Sequence, residues 1–212
     1  MSIHDVSHTL RRGKLLAEAT GALILLHGRG ADAEDIAGVA NYLPVENLAV
    51  LAPRATQFTW YPQRFFVPLE ENEPWLSSGL QVVDQLVNEA RAAGIPDERI
   101  GIAGFSQGGC LALEYAHRNP HRYGLVAGMS SALIGPAGIS RKPADLLQTP
   151  VLLACADHDP HIPLPFVEES AGILSRSNAA LTRQIFRGYD HTVFPEEIAW
   201  LTERISGWNK DG

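Results

Sequence analysis

Six short apolar runs recur along the chain, at residues 22–26, 48–52, 100–103, 124–128, 151–154 and 182–186, and most of them lack polar alternation. A strand with one wet face alternates apolar and polar side chains, whereas a strand covered on both faces stays apolar throughout. Segments with apolar residues at helical spacing lie between the runs. Residues 77–93 place Leu80, Val83, Leu86, Val87 and Ala90 on one stripe, and the pattern stops at Gly94. Further helices are predicted over 33–42, behind Asp32 as N-cap, and over 106–118, which ends before Pro120. Two more, 165–175 and 195–208, each open on a proline, a residue tolerated in the first helical turn. Strands alternating with helices fold as α/β with a mostly parallel central sheet, and right-handed crossovers put helices on both faces. Ligands of such sheets bind beyond the carboxyl ends of the strands.

No repeat, low-complexity tract or linker interrupts the 212 residues, so one domain over 1–212 is expected. A chain of this length buries enough surface to hold a core without disulfide or metal staples. Asp and Glu number 24 against 17 Lys and Arg, a net charge of -7 with no basic run, which argues against nucleic acid or an anionic membrane as partner. The longest apolar stretches are too short to span a bilayer, so no stable membrane anchor is expected. Cys110 and Cys155 are too few for a disulfide framework, and the start Met-Ser-Ile-His-Asp-Val has no apolar signal region. A cytoplasmic protein with free thiols is expected. A homodimer is left open, with Trp60, Phe65 and Phe66 the first choice for an exposed sticky surface.

Gly104-Phe105-Ser106-Gln107-Gly108 matches G-x-S-x-G, with a predicted strand running in and a predicted helix running out. That context makes Ser106 a candidate nucleophile on a tight turn, with glycines where a Cβ would collide. A serine hydroxyl needs a base, commonly a histidine oriented by a carboxylate. Of the eight histidines, His4 and His8 read as solvated, and His117 and His121 as surface residues at a helix end. The remaining four are His27, His158, His161 and His191. The chain order Ser, acid, His selects His191, which lies in the turn between the last strand and the last helix. The acid follows the strand at 151–154, where Asp157 and Asp159 are both candidates. Asp159 is preferred because Asp159-Pro160 forms a turn that aims the carboxylate back at the sheet edge. Asp190 is set aside, since neighbouring side chains in an extended loop point apart.

His27-Gly28-Arg29-Gly30 follows the first apolar run. Its Arg29 N–H, with the Gln107 N–H at the start of the elbow helix, forms a candidate oxyanion hole. The glycine that a dinucleotide fingerprint needs three residues after Gly30 is replaced by Ala33. The Asp157-His158-Asp159-His161 run invites a metal reading, but it alternates along a proline-rich loop and carries no cage motif. Neither cofactor nor metal is therefore expected. Six of the 16 aromatic residues fall between Phe58 and Trp75. Trp60, Tyr61, Phe65, Phe66 and Trp75 form a candidate substrate wall, with a satellite core under a long connection as the alternative.

Leu26-His27-Gly28-Arg29-Gly30, Gly104-Phe105-Ser106-Gln107-Gly108-Gly109, Asp159-Pro160-His161-Ile162-Pro163 and His191 together resemble the carboxylesterase/phospholipase family that includes acyl-protein thioesterases. The likeness runs from near residue 22 to the last helix. It implies a three-layer α/β-hydrolase fold without a large cap domain. It also implies Ser106 as nucleophile, Asp159 as orienting acid, His191 as base, and Arg29 and Gln107 as oxyanion donors. The chain departs from the family pattern at Arg29, often apolar there, at Cys155-Ala156, commonly His-Gly, and at Asp190, usually a small residue. The expected substrate is a small carboxylic ester or thioester. Rival readings are a dienelactone-hydrolase type of activity, which usually places Cys at the elbow, an amidase, and a catalytically silent binding module.

Overall fold

The computed structural model describes residues 3–208. Among the described residues, seven strands form one sheet: β1 (Thr9–Gly13), β2 (Gly21–Leu26), β3 (Leu48–Pro53), β4 (Ile100–Phe105), β5 (Leu125–Met129), β6 (Pro150–Ala156) and β7 (Ala180–Phe186). Their spatial order is β1-β3-β2-β4-β5-β6-β7. Every neighbouring pair is parallel except β1 with β3.

The uninterrupted apolar character of β2 to β6 has a direct structural counterpart. Ala22, Ile24 and Leu26 face one core, while Leu23 and Leu25 face the other. The first core is closed by α2 (Trp75–Ala92), α3 (Gln107–Arg118) and α4 (Leu164–Arg176). The second is closed by α1 (Ala33–Ala37) and α5 (Pro195–Ile205). This is the three-layer arrangement expected for an α/β-hydrolase.

Several boundaries moved for identifiable reasons. The helix expected over 33–42 is α-helical only to Ala37 and tightens into a 3-10 turn from Gly38 to Tyr42. Asp32 does cap it, accepting from Ala33 N–H at 2.6 Å while Asp35 returns a bond to Asp32 N–H at 2.7 Å. The helix expected over 195–208 ends at Ile205. Strand β1 is absent from the sequence reading because Thr-Leu-Arg-Arg-Gly is mostly polar. It is an edge strand held by its antiparallel ladder to β3, with exposed Arg11 and Arg12 paired to Glu89 and Glu34. The other edge, β7, is only partly covered, consistent with its Thr182-Arg183-Gln184 centre.

Two histidines expected at the surface are buried. His4 is 2% exposed: Nδ1 accepts from Thr56 N–H and Nε2 donates to the Trp60 carbonyl at 3.0 Å. His117 lies on the covered face of α3. Burial lowers both imidazole pKa values.

Helix α3 is anchored from beneath by a buried ion cluster. Glu114, its side chain 1% exposed, accepts from Arg118 Nε at 2.8 Å, from Arg141 Nη1 at 2.9 Å and from Ile134 N–H at 3.1 Å. Removing one partner of such a cluster strands the other charge. Glu114→Ala is therefore expected to cost about 3–5 kcal/mol of stability, read by urea denaturation.

Candidate active site

The turn from β4 into α3 holds Ser106 at φ 53 and ψ -118. A non-glycine residue in that conformation carries strain of roughly 1–3 kcal/mol, sustained only where surrounding packing enforces it. Here the packing is explicit. A Cβ on Gly104 would lie 2.3 Å from the Gly108 backbone, and one on Gly108 would lie 2.1 Å from the Leu26 carbonyl oxygen. The glycines let α3 begin against the end of β2, and Ser106 N–H is held by the Met129 carbonyl at 2.9 Å.

His191 stands between β7 and α5, with its ring near Phe105 and edge-on to His161. Its Nε2 lies 2.8 Å from Ser106 Oγ, and its Nδ1 lies 2.7 Å from Asp159 Oδ2. A carboxylate only accepts, so Nδ1–H donates to Asp159 and Nε2 is left to accept the serine proton. The Asp159 side chain is fully buried. Its Oδ1 accepts from His161 and Ile162 N–H at 2.8 and 3.0 Å, and the Cys155 thiol approaches Oδ2 at 3.6 Å. The rigid Asp-Pro turn thus points its carboxylate inward and satisfies it.

Asp157 takes a different course. It accepts from Gly188 N–H at 2.9 Å and meets His158 at 2.7 Å, and these contacts hold its pKa below the usual carboxylate value. Asp190 is exposed. His27 is buried, with Nδ1–H turned to the Gly28 carbonyl and Nε2 accepting from Ala55 N–H at 3.0 Å. It serves the turn and does not reach Ser106.

A cavity of about 510 Å³ opens beside Ser106. The Gln107 N–H stands at the first position of α3, where no intrahelical acceptor exists. The N–H groups of Gln107 and Arg29 have no acceptor among the described residues, and both residues line the cavity. The Gln107 side chain does something the sequence reading missed. Its Oε1 accepts from Trp60 N–H at 2.8 Å and its Nε2 donates to the Tyr61 carbonyl at 2.7 Å, tying the elbow to the aromatic loop. A buried amide beside a nucleophile motif was the available signal.

The aromatic segment needs correcting. Tyr61 and Phe65 line the cavity, but Trp60, Phe66 and Trp75 do not. Trp60 is fully buried and donates from Nε1 to the His27 carbonyl at 3.0 Å. Trp75 packs on His4, and Phe66 stacks on Phe166. Nor is this an exposed sticky surface, since Trp60 and Phe65 are 0% and 5% exposed. The loop folds inward because its aromatic area is worth more under cover than in water.

A family model described as phospholipase/carboxylesterase matches residues 16–209. The chain belongs to the phospholipase/carboxylesterase family. A crystal structure of a phospholipase/carboxylesterase from Dyadobacter fermentans is similar with a TM-score of 0.91 and 39% identity, over 97% of this chain and 99% of that one. Acyl-protein thioesterase 1 of Gibberella zeae is 30% identical over 120 residues, 53% of this chain and 49% of that protein. Acyl-protein thioesterase 1 of Schizosaccharomyces pombe is 27% identical over 172 residues, 73% of this chain and 75% of that protein. The matched segment spans about half the length of the first of these two curated relatives. Among the described residues no helix is long and apolar enough to cross a membrane.

In this member of the family, the helix after the His191 loop begins on a buried acid. Glu197 Oε2 accepts from Phe194 N–H at 2.7 Å, while Oε1 is buried with no hydrogen-bond partner among the described residues. Burial pushes this carboxyl up to about 8. The fold therefore favours the protonated acid: its contribution is complete below the ordinary carboxyl pKa and is lost as pH rises through about 8. Thermal melting should fall between about pH 4.5 and pH 8 and level off above, and Glu197→Gln should flatten that fall.

Proposed function

We propose that this chain is a metal-independent serine hydrolase of small carboxylic esters or thioesters. The observation that carries the reading is the unbroken hydrogen-bonded line from buried Asp159 through His191 to Ser106 Oγ, with Ser106 in the cavity wall. Ser106 attacks the acyl carbonyl carbon as His191 Nε2 takes the hydroxyl proton. Asp159 keeps Nδ1 protonated and stabilises the imidazolium that forms. The N–H groups of Arg29 and Gln107 receive the negative charge that develops on the carbonyl oxygen, and the start of α3 adds its dipole. His191 then gives the proton to the leaving alcohol or thiol. Water, activated by the same imidazole, releases the acid from the acyl-enzyme and regenerates Ser106. Family membership and the cavity size, ordinary for a small-molecule site, support the same reading.

A fluorophosphonate probe should label the wild-type protein and fail on Ser106→Ala. Ester turnover should fall about 10⁶-fold in Ser106→Ala, with the fold retained. Retained labelling or substantial turnover would remove Ser106 from this role. Asp159→Asn allows the other imidazole tautomer and should lower turnover by roughly 10⁴-fold while the Ser106 to His191 distance persists.

A further inference from the structure

Among the described residues, the cavity wall carries two arginines, Arg29 and Arg64, and no Asp or Glu. That is unexpected for a chain with a net charge of -7. Of the twelve other arginines, eight, Arg11, Arg12, Arg54, Arg91, Arg118, Arg141, Arg183 and Arg204, are paired to carboxylates. Arg29 and Arg64 form no ion pair among the described residues. Asp159, the acid bonded to His191, has a fully buried side chain and does not line the cavity.

We propose that this cavity selects esters that carry an anionic group, a carboxylate or a phosphate, and that Arg29 and Arg64 bind that group. The inference rests on the serine-hydrolase reading above and names the substrate class of the same site.

Arg29 is positioned rather than free. Its Nη1 donates to the Pro62 carbonyl at 2.7 Å, its Nη2 donates to the Gln63 carbonyl, and its guanidinium lies 5.9 Å from the Tyr61 ring centre. A guanidinium has five N–H donors, so three remain for a ligand. The carbonyls that hold it belong to a fixed loop. Buried Asn72 accepts from Gln63 N–H at 2.8 Å and donates to the Arg64 carbonyl at 3.1 Å. One loop thus steadies both arginines.

Their charges also act on each other. Partial burial and the neighbouring Arg64 both lower the Arg29 pKa. Two like charges held close without a counter-ion disfavour one another, and an anion between them relieves both. A planar guanidinium matches the two oxygens of a carboxylate or phosphate. The backbone of Arg29 faces the reacting carbonyl while its side chain reaches the mouth. The anion therefore lies a few atoms away from the scissile bond.

The test compares kcat/KM for matched pairs on the full chain. Monoethyl adipate against ethyl hexanoate places the anion on the acyl side. Hexanoyl glycerol phosphate against hexanoyl glycerol places it on the alcohol side. The anionic member of one pair should be preferred by about tenfold or more, and the preferred pair names the source. The ratio should drop about threefold in Arg64→Gln, fall to about one in the double variant with Arg29→Gln, recover in part in Arg64→Lys, and shrink with added salt. A ratio of one or less for both pairs, or a ratio unchanged by Arg64→Gln and Arg29→Gln, overturns the inference. Turnover of the neutral esters that depends on Ser106 would leave the hydrolase reading standing in that event. If no ester is cleaved, calorimetry on Ser106→Ala with monoethyl adipate against the uncharged ethyl hexanoate reads the preference without chemistry. Tighter binding of monoethyl adipate that weakens in Arg64→Gln supports the anion site, and equal binding sinks it.

Discussion

The first residues of α3 touch the end of β2, where a Cβ on Gly108 would meet the Leu26 carbonyl oxygen at 2.1 Å. This contact sets the height at which α3 starts and brings the turn after β2 beside the turn after β4. The Arg29 N–H, the Gln107 N–H and the Ser106 hydroxyl share one cavity as a result. The Gln107 side chain extends the arrangement to the 59–61 loop, so three separate stretches of chain are joined at the elbow. The backbone strain at Ser106 is the local cost of that convergence.

Charge is handled differently on the two sides of this joint. Beneath it, Glu114 is saturated by two arginines and a backbone N–H, and Asp159 by two N–H groups and His191. These groups are buried and satisfied, which makes them rigid. At the mouth, Arg29 and Arg64 line the cavity and form no ion pair among the described residues. The same molecule that pairs its interior charges leaves two like charges without an ion pair at the cavity wall among the described residues. Glu197 falls between these cases, with one oxygen engaged at a helix start and the other without a hydrogen-bond partner among the described residues.

Legibility in the sequence followed the strength of the local signal. Strands β2 to β6 are readable because burial on both faces demands apolar residues at every position, and the predicted limits fall within a residue or two of those observed. The elbow is readable because close backbone approach admits only glycine at Gly104 and Gly108. Strand β1 is not, because an edge strand is held by its ladder and tolerates Arg11 and Arg12. The aromatic loop is the clearest miss. Trp60, Phe66 and Trp75 have the composition of a binding wall, yet they fill space under the loop. Composition states that such side chains want cover and not which cover they take.

The sequence by itself determined the layer order, the need for a tight turn at Ser106 and the short set of groups able to act with it, because periodicity and glycine placement are local properties. The tertiary structure alone decided that His4 and His117 are buried, that Trp60, Phe66 and Trp75 turn away from the cavity, and that Arg29 reaches the carbonyls of the 62–63 loop. Each of those outcomes depends on where distant segments land when the sheet closes, and a side chain's partner is set by that meeting rather than by its neighbours in the chain.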